Sequence, residues 1–349
     1  MNNGTFTNEE AFAQPSEKPA YPTAKARRTY GAVGGALLGF TVATIVAAIF
    51  LTVILVTLSP SLLSEGWVNS LLSLFSIDLV GGIVIYLLMR KTKAERPMPK
   101  SLSVKQLALL SLSSLGCMYA FSFVTAVLRI VLACFGIEVP TAVHDSLTQT
   151  SLPLALFSAL IVAPILEELF YRRFICDRLA KYGEWQAVLF SGLTFSLFHM
   201  NFEQLFYAFA LGCIFAAVYI KTGKLRYTVI MHFIVNFVGT VPGLALIRSG
   251  VSDAAEEMLS LVELGAIDVL VEFVAKNSVP AIVFMLFIFV RSVMFIACAV
   301  ILLTQVKGIF SDLKGLDMPK GKRLKIMFSG KATIAYIIIC IAFTLSALR

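Results

Sequence analysis

Long apolar runs separated by short polar stretches dominate this chain. Nine of the runs are long enough, or nearly so, to cross a lipid bilayer as helices, which requires about 20 apolar residues. They cover residues 31–58, 67–89, 106–134, 152–175, 185–200, 204–221, 225–248, 279–305 and 332–348. The pattern therefore predicts an all-α fold: a polytopic membrane helix bundle with about nine transmembrane helices.

The overall composition agrees with the apolar pattern. The 349 residues are 58% hydrophobic and only 14% charged, and the mean hydropathy is +0.86. Such values exclude a soluble domain and predict a multi-pass protein of the cell membrane. The six cysteines show neither CxxC nor Cys/His metal spacing, so they are expected to pack as small apolar residues.

Lysine and arginine cluster in alternate loops between the apolar runs. This arrangement, and not a nucleic-acid-binding face, accounts for the net charge of +8, because cytoplasmic loops of membrane proteins are rich in cations. All clusters fall on one side if the N-terminus is cytoplasmic, and the C-terminus then lies outside. The clusters span residues 25–28, 90–96, 172–181, 221–226 and 307–331, and the opposite loops hold Glu138, Asp145, Asp253, Glu256, Glu257 and Glu263. The basic loops are expected to touch anionic lipid headgroups.

The pattern divides the chain into four regions. Residues 1–30 are polar, without the apolar core of a signal peptide, and are predicted to be a disordered cytoplasmic tail. A transmembrane bundle follows over residues 31–248. Residues 249–278 form an outer amphipathic segment, which either lies on the membrane surface or caps the bundle. Residues 279–349 are predicted to form two C-terminal transmembrane helices with a basic cytoplasmic loop.

Small and charged residues inside the apolar runs predict further helix contacts. In the first run, glycine recurs every four residues, which predicts a face for close helix packing at Gly31, Gly35 and Gly39. Three intramembrane charges, Asp78, Arg129 and Arg291, match no motif, and Asp78 is expected to pair with one of the arginines. His144 lies in an outer loop and is expected to be solvated.

Two adjacent glutamates interrupt the fourth apolar run. No charge occurs in residues 152–166, and Glu167 and Glu168 follow directly. A carboxylate at membrane depth is costly and normally marks a functional site. On a helix, Glu168 shares a face with Arg172 and can pair with it, whereas Glu167 is turned about 100° away and is available for chemistry. Pro164 removes a helical hydrogen bond one turn earlier.

Further polar residues occur in the fifth and seventh runs. His199 follows Phe195 by four residues, and Asn236 follows His232 by four. A lone membrane histidine usually bonds to a neighbouring helix. Four polar groups in neighbouring runs instead favour one shared wet site, because buried polar groups need partners. Helical rise places His232 about 10 Å and His199 about 21 Å from the cytoplasmic ends of their runs. Straight, equally placed helices would not bring the two histidines to the same depth. Either the fifth helix starts outside the membrane core or the predicted boundaries of the runs are wrong.

These side chains suit the hydrolysis of an amide by activated water. Glu167 can act as a general base, and His199 can hold and polarise the water. His232 and Asn236 can donate hydrogen bonds to a developing oxyanion. Alternatively, two imidazoles and a carboxylate, from Glu167, His199 and His232, could hold zinc.

Three motifs in order carry a resemblance to a known family. Glu167-Glu168-xxx-Arg172, Phe195-xxx-His199 and His232-xxx-Asn236 match EExxxR, FxxxH and HxxxN of the CPBP (Abi) family. This family includes CAAX proteases and bacteriocin-processing enzymes, and the resemblance covers about residues 106–248.

The resemblance implies an intramembrane endopeptidase, similar to type II CAAX prenyl endopeptidases, that cuts a peptide or membrane-protein substrate near the surface of the lipid bilayer. It implies that Glu167 is the catalytic base, that His199 helps to activate water and that His232 and Asn236 stabilise the oxyanion. Glu168 and Arg172 would form a supporting pair. Family members have also been called metalloproteases, so zinc stays open, although no obligatory metal is expected.

Two other classes of function compete with this interpretation. The first is a non-enzymatic membrane scaffold, such as an immunity protein or a partner of a sensor kinase. It has little need for a buried glutamate and two histidines. The second is a transporter that uses Glu167 as a proton relay. The chain lacks the internal repeats that transporters carry.

Overall fold

The computed structural model describes residues 23–139, 151–263, 266–315 and 320–348. These residues fold into helices joined by turns and short loops, and His144 and Asp145 lie outside them. The helices are α1 (Thr23–Leu58), α2 (Gly66–Met89), α3 (Val104–Cys134), α4 (Leu152–Tyr182), α5 (Glu184–Phe198), α6 (Phe202–Thr222), α7 (Leu225–Arg248), α8 (Val251–Glu263), α9 (Ile267–Lys276), α10 (Ser278–Phe310), α11 (Lys320–Met327) and α12 (Lys331–Ser346). The first helix begins at Thr23, ahead of the predicted start at residue 31.

Fewer helices can cross a membrane than the sequence predicts. Within the described ranges, seven are long and apolar enough, namely α1, α2, α3, α4, α6, α7 and α10. The pair α11 and α12, bent by 82°, would make an eighth if it acts as one broken span. The chain is therefore a multi-pass helical bundle, as predicted, with seven or eight candidate spans in the described ranges where the sequence predicts about nine.

The fifth apolar run is a buried core helix and not a span. α5 has 15 residues, a length of about 22 Å, which is less than the ~30 Å of a bilayer core. Most of its side chains are buried, and α4, α6 and α12 pack around it. Its contact with α6 is close, since a Cβ on Gly212 would lie 2.8 Å from the Cα of Gly192. The run is apolar because most of its side chains pack against other helices, although Leu189 is exposed.

A glycine face joins α1 to α12, and it contains Gly31 of the predicted repeat together with Gly34, which the repeat does not include. A Cβ on Gly34 would collide with Thr333 of α12, and Gly31 lies against Gly330. Gly35 has no neighbour within 4 Å, and Gly39 faces a leucine side chain of α2. Gly34, which stands outside the four-residue repeat, therefore makes the closest contact.

The cationic loops meet at one end of the bundle. The amide of Glu95 donates to the carbonyl of Asp177 over 2.6 Å, and the amide of Lys100 donates to that of Thr222 over 2.8 Å. Lys181 donates to the Glu95 carboxylate over 2.8 Å, and this hydrogen bond lowers the pKa of Glu95 below its ordinary value. These contacts place the basic loops on a common face, which is the arrangement that a cytoplasmic side requires.

The amphipathic segment after α7 divides into two helices. α8 packs against α7 and α10, so it covers the bundle. α9 leaves three apolar side chains exposed, Ile267, Val269 and Val271, as a helix at a membrane surface would. The packing of α8 therefore fits the capping alternative, and the exposed apolar residues of α9 fit the membrane-surface alternative, which stays a prediction.

The expected pairing of Asp78 with an arginine is wrong. Arg129 pairs with Glu203 over 3.0 Å, and Arg291 stacks on the ring of Tyr119 at 5.5 Å. In the described part of the chain Asp78 has no ion-pair partner. It lies instead close enough to Glu167 for the two carboxylates to repel each other.

Candidate active site

The glutamates of the first motif stand on a short regular stretch of an otherwise irregular helix. Within α4, residues Ala163–Glu168 are α-helical, and π-helical turns flank them at Ser158–Val162 and Leu169–Cys176. Turns of this kind widen the backbone and occur frequently at functional sites. They set the direction in which Glu167 and Glu168 point.

Pro164 leaves a backbone carbonyl of α4 available to accept a hydrogen bond from Asn236, the asparagine of the third motif. In the π-helical turn the amide of Ala163 donates five residues back, to the carbonyl of Ser158. With the same spacing, the amide of residue 164 would donate to the carbonyl of Ala159, but residue 164 is proline and has no N–H. The side-chain amide of Asn236 donates to this carbonyl over 2.8 Å. The exposed carbonyl thus ties α7 to α4 and fixes Asn236.

Glu168 and Arg172 form a fully buried ion pair. The Nε of Arg172 lies 2.9 Å from Oε2 of Glu168, and both side chains are 0% exposed. The guanidinium lies over the rings of Phe195 and Phe215, at 4.8 and 5.5 Å. Removal of one partner from such a pair leaves an uncompensated buried charge. The pair is therefore a structural element of the helix packing.

His232 stands between the two glutamates. Its Nδ1 lies 3.1 Å from Oε1 of Glu168, and its Nε2 lies 3.8 Å from Oε2 of Glu167. A carboxylate engaged by Arg172 accepts hydrogen bonds, so we assign the proton of the neutral ring to Nδ1. The nitrogen that faces Glu167 is then Nε2. The distance of 3.8 Å exceeds a direct hydrogen bond and is suited to a bridge through water.

His199 is held by its own helix. Its Nδ1 lies 2.9 Å from the carbonyl oxygen of Phe195. A carbonyl only accepts, so Nδ1 carries the proton and Nε2 is left to accept from a substrate or water. The ring of Phe195 touches His199 edge-on at 4.9 Å and His232 at 5.9 Å. Phe195 therefore positions both histidines, which explains an aromatic residue at the first position of FxxxH.

One cavity brings the motif residues together. It has a volume of about 480 Å³ and lies between α4, α5, α6 and α7, with Ile77 of α2 at its edge. Glu167, His199, His232 and Asn236 all line it. Oε2 of Glu167 is buried and has no hydrogen-bond partner among the described residues. An unsatisfied buried carboxylate oxygen is suited to accept from a water in the cavity.

The cavity also resolves the difference in depth between the two histidines. α5 begins among the basic loops and not at the hydrocarbon boundary, since Glu184 N donates to the carbonyl of Lys314 over 2.8 Å. The Glu184 carboxylate in turn accepts from Lys314 N over 2.7 Å. The first turn of α5 thus lies in the loop layer, so a count of helical rise from Trp185 overstates the depth of His199.

The sequence motifs miss several polar residues of this cavity. Asn201, Gln204 and Tyr207 line it from the start of α6, and Thr240 lines it from α7. Spacing gives a weak signal, because Gln204 and Tyr207 are three residues apart in an otherwise apolar run and share a helix face. No pattern along the chain indicated that Asp78 approaches Glu167.

The zinc alternative receives no support from the donor geometry. Where the structure describes the chain, no group of three or more His, Cys, Asp or Glu side chains is gathered closely enough to hold a metal ion. Glu167, His199 and His232 share the cavity without forming a ligand set. Glu168 engages Nδ1 of His232, and the carbonyl of Phe195 engages Nδ1 of His199, so these two contacts leave Nε2 of each ring available.

Comparisons with known proteins agree with the motifs. Residues 149–238 match the family of type II CAAX prenyl endopeptidases described as Rce1-like. The chain is also similar to YdiL of Bacillus subtilis (strain 168), whose name describes it as a membrane peptidase, with 28% identity over 109 residues. That similarity covers 31% of this chain and 45% of the relative, so the chain spans about half the length of the relative. No solved structure matches. The resemblance to the CPBP intramembrane proteases is thus confirmed for the segment that holds all three motifs.

Proposed function

Because residues 149–238 match the Rce1-like CAAX prenyl endopeptidases, we propose that this chain is an intramembrane endopeptidase of the cell membrane. It hydrolyses a peptide bond of a peptide or membrane-protein substrate with activated water. One observation carries the proposal: Glu167, His199, His232 and Asn236, from three helices, line a single cavity. A non-enzymatic scaffold gains nothing from an unsatisfied carboxylate in that position.

Glu167 is the base in this mechanism. Its buried Oε2 takes a proton from a water, and Nε2 of His199 accepts the other hydrogen of that water and orients it. The resulting hydroxide attacks the carbonyl carbon of the substrate. When the C–N bond breaks, Glu167 returns the proton to the leaving amine, so the base is regenerated at the end of each cycle.

His232 and Asn236 stabilise the oxyanion. One N–H of the Asn236 side chain is occupied by Ala159, and the second is available for the substrate oxygen. His232 donates from Nε2 only as an imidazolium, because Nδ1 carries the proton of the neutral ring. The Glu168 carboxylate accepts from Nδ1 over 3.1 Å and so fixes the orientation of the ring. This places Glu168 in direct support of a residue that contacts the substrate.

The test compares the membrane peptidome of cells that carry the wild type or Glu167→Gln. The amide of glutamine cannot accept the proton, so peptides released by the wild type should be absent with the variant. Glu272→Gln, which changes an exposed carboxylate of α9, is the matched control and should give the wild-type peptidome. Identical peptidomes for the wild type and Glu167→Gln would contradict the proposal.

A further inference from the structure

A basic groove opens between α4 and α7 at the cationic end of the bundle, away from the catalytic cavity. Its volume is about 530 Å³, and six residues line it, namely Leu169, Arg173, Gly223, Lys224, Leu225 and Arg226. Gly223 permits the tight turn from α6 to α7, since its φ is +61°, a backbone conformation that residues other than glycine rarely adopt. This turn presents the two cations that follow it to the groove.

The positive charge of the basic groove is largely uncompensated. Lys224 donates to the hydroxyl of Ser101 over 2.7 Å, and Arg226 lies over the ring of Tyr227 at 5.1 Å. Neither cation has an ion-pair partner within the described ranges. Arg173 is 3.9 Å from Asp177, and it also donates to the hydroxyl of Tyr219 over 3.1 Å. Three cations therefore line one space, and none of the six lining residues is acidic.

The start of α7 adds to this positive potential. Its first turn contains no acidic residue, and no side chain caps it. The amides of a helix N-terminus carry partial positive charge, which acids in the first turn normally offset. Here the chain places Lys224 and Arg226 at that position, so the local charge favours an anionic ligand.

The walls of the basic groove are apolar and continue into the lipid-facing surface. Leu169 and Leu225 contribute hydrocarbon to the groove itself. One turn deeper on α4, Ile165 is exposed, and on α7 Ile230 and Phe233 are exposed too. A ligand with a phosphate group and an acyl chain would satisfy both the cations and these surfaces, whereas a free phosphate would leave the apolar walls unused.

We propose that the basic groove binds the phosphate headgroup of an anionic phospholipid. Such a lipid would join α4, which carries Glu167 and Glu168, to α7, which carries His232 and Asn236. The binding stands on the groove alone and does not depend on the proposed protease activity.

The experiment measures lipid binding to the purified full-length chain in neutral detergent by native mass spectrometry. Phosphatidylglycerol, phosphatidylcholine and inorganic phosphate are titrated separately. The wild type should bind one phosphatidylglycerol in preference to phosphatidylcholine. The K224Q/R226Q variant should bind phosphatidylglycerol on the order of tenfold more weakly, because each removed cation weakens the attraction to an anionic headgroup.

The matched control, K322Q/K325Q, removes two exposed cations of α11 and should bind phosphatidylglycerol like the wild type. If K224Q/R226Q does not fold, Arg226→Gln alone replaces it, since this side chain is exposed and rests on Tyr227. Equal binding by the wild type and the groove variant would overturn the proposal. So would an equal loss in the control, which would indicate general charge attraction, or full displacement of the lipid by millimolar inorganic phosphate, which would indicate a free-phosphate site.

Discussion

His232 hydrogen-bonds through Nδ1 to the buried carboxylate of Glu168, 3.1 Å away. The same carboxylate pairs with Arg172, and the other ring nitrogen of His232, Nε2, lies 3.8 Å from Oε2 of Glu167. The two adjacent glutamates of α4 therefore differ in their surroundings. Glu168 is enclosed by partners, whereas Glu167 borders the cavity with an unsatisfied oxygen. This difference supports a catalytic role for Glu167 and a positioning role for Glu168.

Removal of Arg172 should destabilise the fold. Arg172→Ala leaves the Glu168 charge buried and uncompensated, at a cost of about 3–5 kcal/mol. Thermal unfolding in detergent and folded yield measure the effect. Glu167→Ala is the control and should express normally. The double variant Glu168→Gln/Arg172→Met should recover part of the lost stability. Equal yields for Arg172→Ala and Glu167→Ala would contradict the proposed division of roles.

Loss of the two candidate catalytic groups should have different consequences. Glu167→Gln should abolish cleavage, because the side-chain amide cannot take the proton from water. Asn236→Ala should retain residual activity, with a rate lowered about 10²- to 10³-fold, as for loss of one oxyanion donor. Thr240→Val changes a cavity residue outside the motifs and should have a small effect. Rates on a peptide substrate identified from the peptidome decide the matter, and wild-type rates in Glu167→Gln would refute the mechanism.

Pro164 should act on catalysis through Asn236. Pro164→Ala supplies an N–H that competes for the Ala159 carbonyl and releases the Asn236 side chain. The expected rate loss approaches that of Asn236→Ala, while the helix itself loses nothing, because alanine suits a helix better than proline. The double variant Pro164→Ala/Asn236→Ala should be no slower than Asn236→Ala alone. Additive losses in this cycle would show that Pro164 acts elsewhere.

Chelation should leave the wild type active and stable, because the described residues assemble no metal-ligand set around Glu167. The measurement is activity and melting temperature before and after treatment with a strong chelator, together with elemental analysis of the purified protein. Stoichiometric zinc whose removal reversibly abolishes activity would replace the mechanism by a metal-assisted one. The assignment as a protease would stand in that case.

The packing of α1 on α12 should depend on Gly34 and not on Gly35. A Cβ at Gly34 meets Thr333, whereas a Cβ at Gly35 meets nothing within 4 Å. Gly34→Ala should therefore lower the stability by about 1–3 kcal/mol, as overpacking typically does. Gly35→Ala should be neutral or slightly stabilising, because alanine favours a helix. Thermal unfolding of the two variants side by side tests this, and equal melting temperatures would refute the assigned contact.

The sequence by itself determined the elements and the motif residues. Hydropathy locates helices because all the side chains of an apolar run must be removed from water together. The pairing of Glu168 with Arg172 follows from their i, i+4 spacing, which is a local property of a helix. The three motifs therefore identified Glu167, His199, His232 and Asn236, which line the cavity, although their catalytic roles are still proposals.

Only the tertiary structure decided the contacts between distant parts of the chain. The Asn236 bond to Ala159, the position of His232 between two glutamates and the approach of Asp78 to Glu167 each join residues far apart in sequence. Likewise, the apolar run of α5 is compatible with either lipid or protein around it, and the helices packed against it decide that it is a core helix. The hydrophobicity of a run shows that its side chains avoid water, but it does not show whether lipid or another helix covers them.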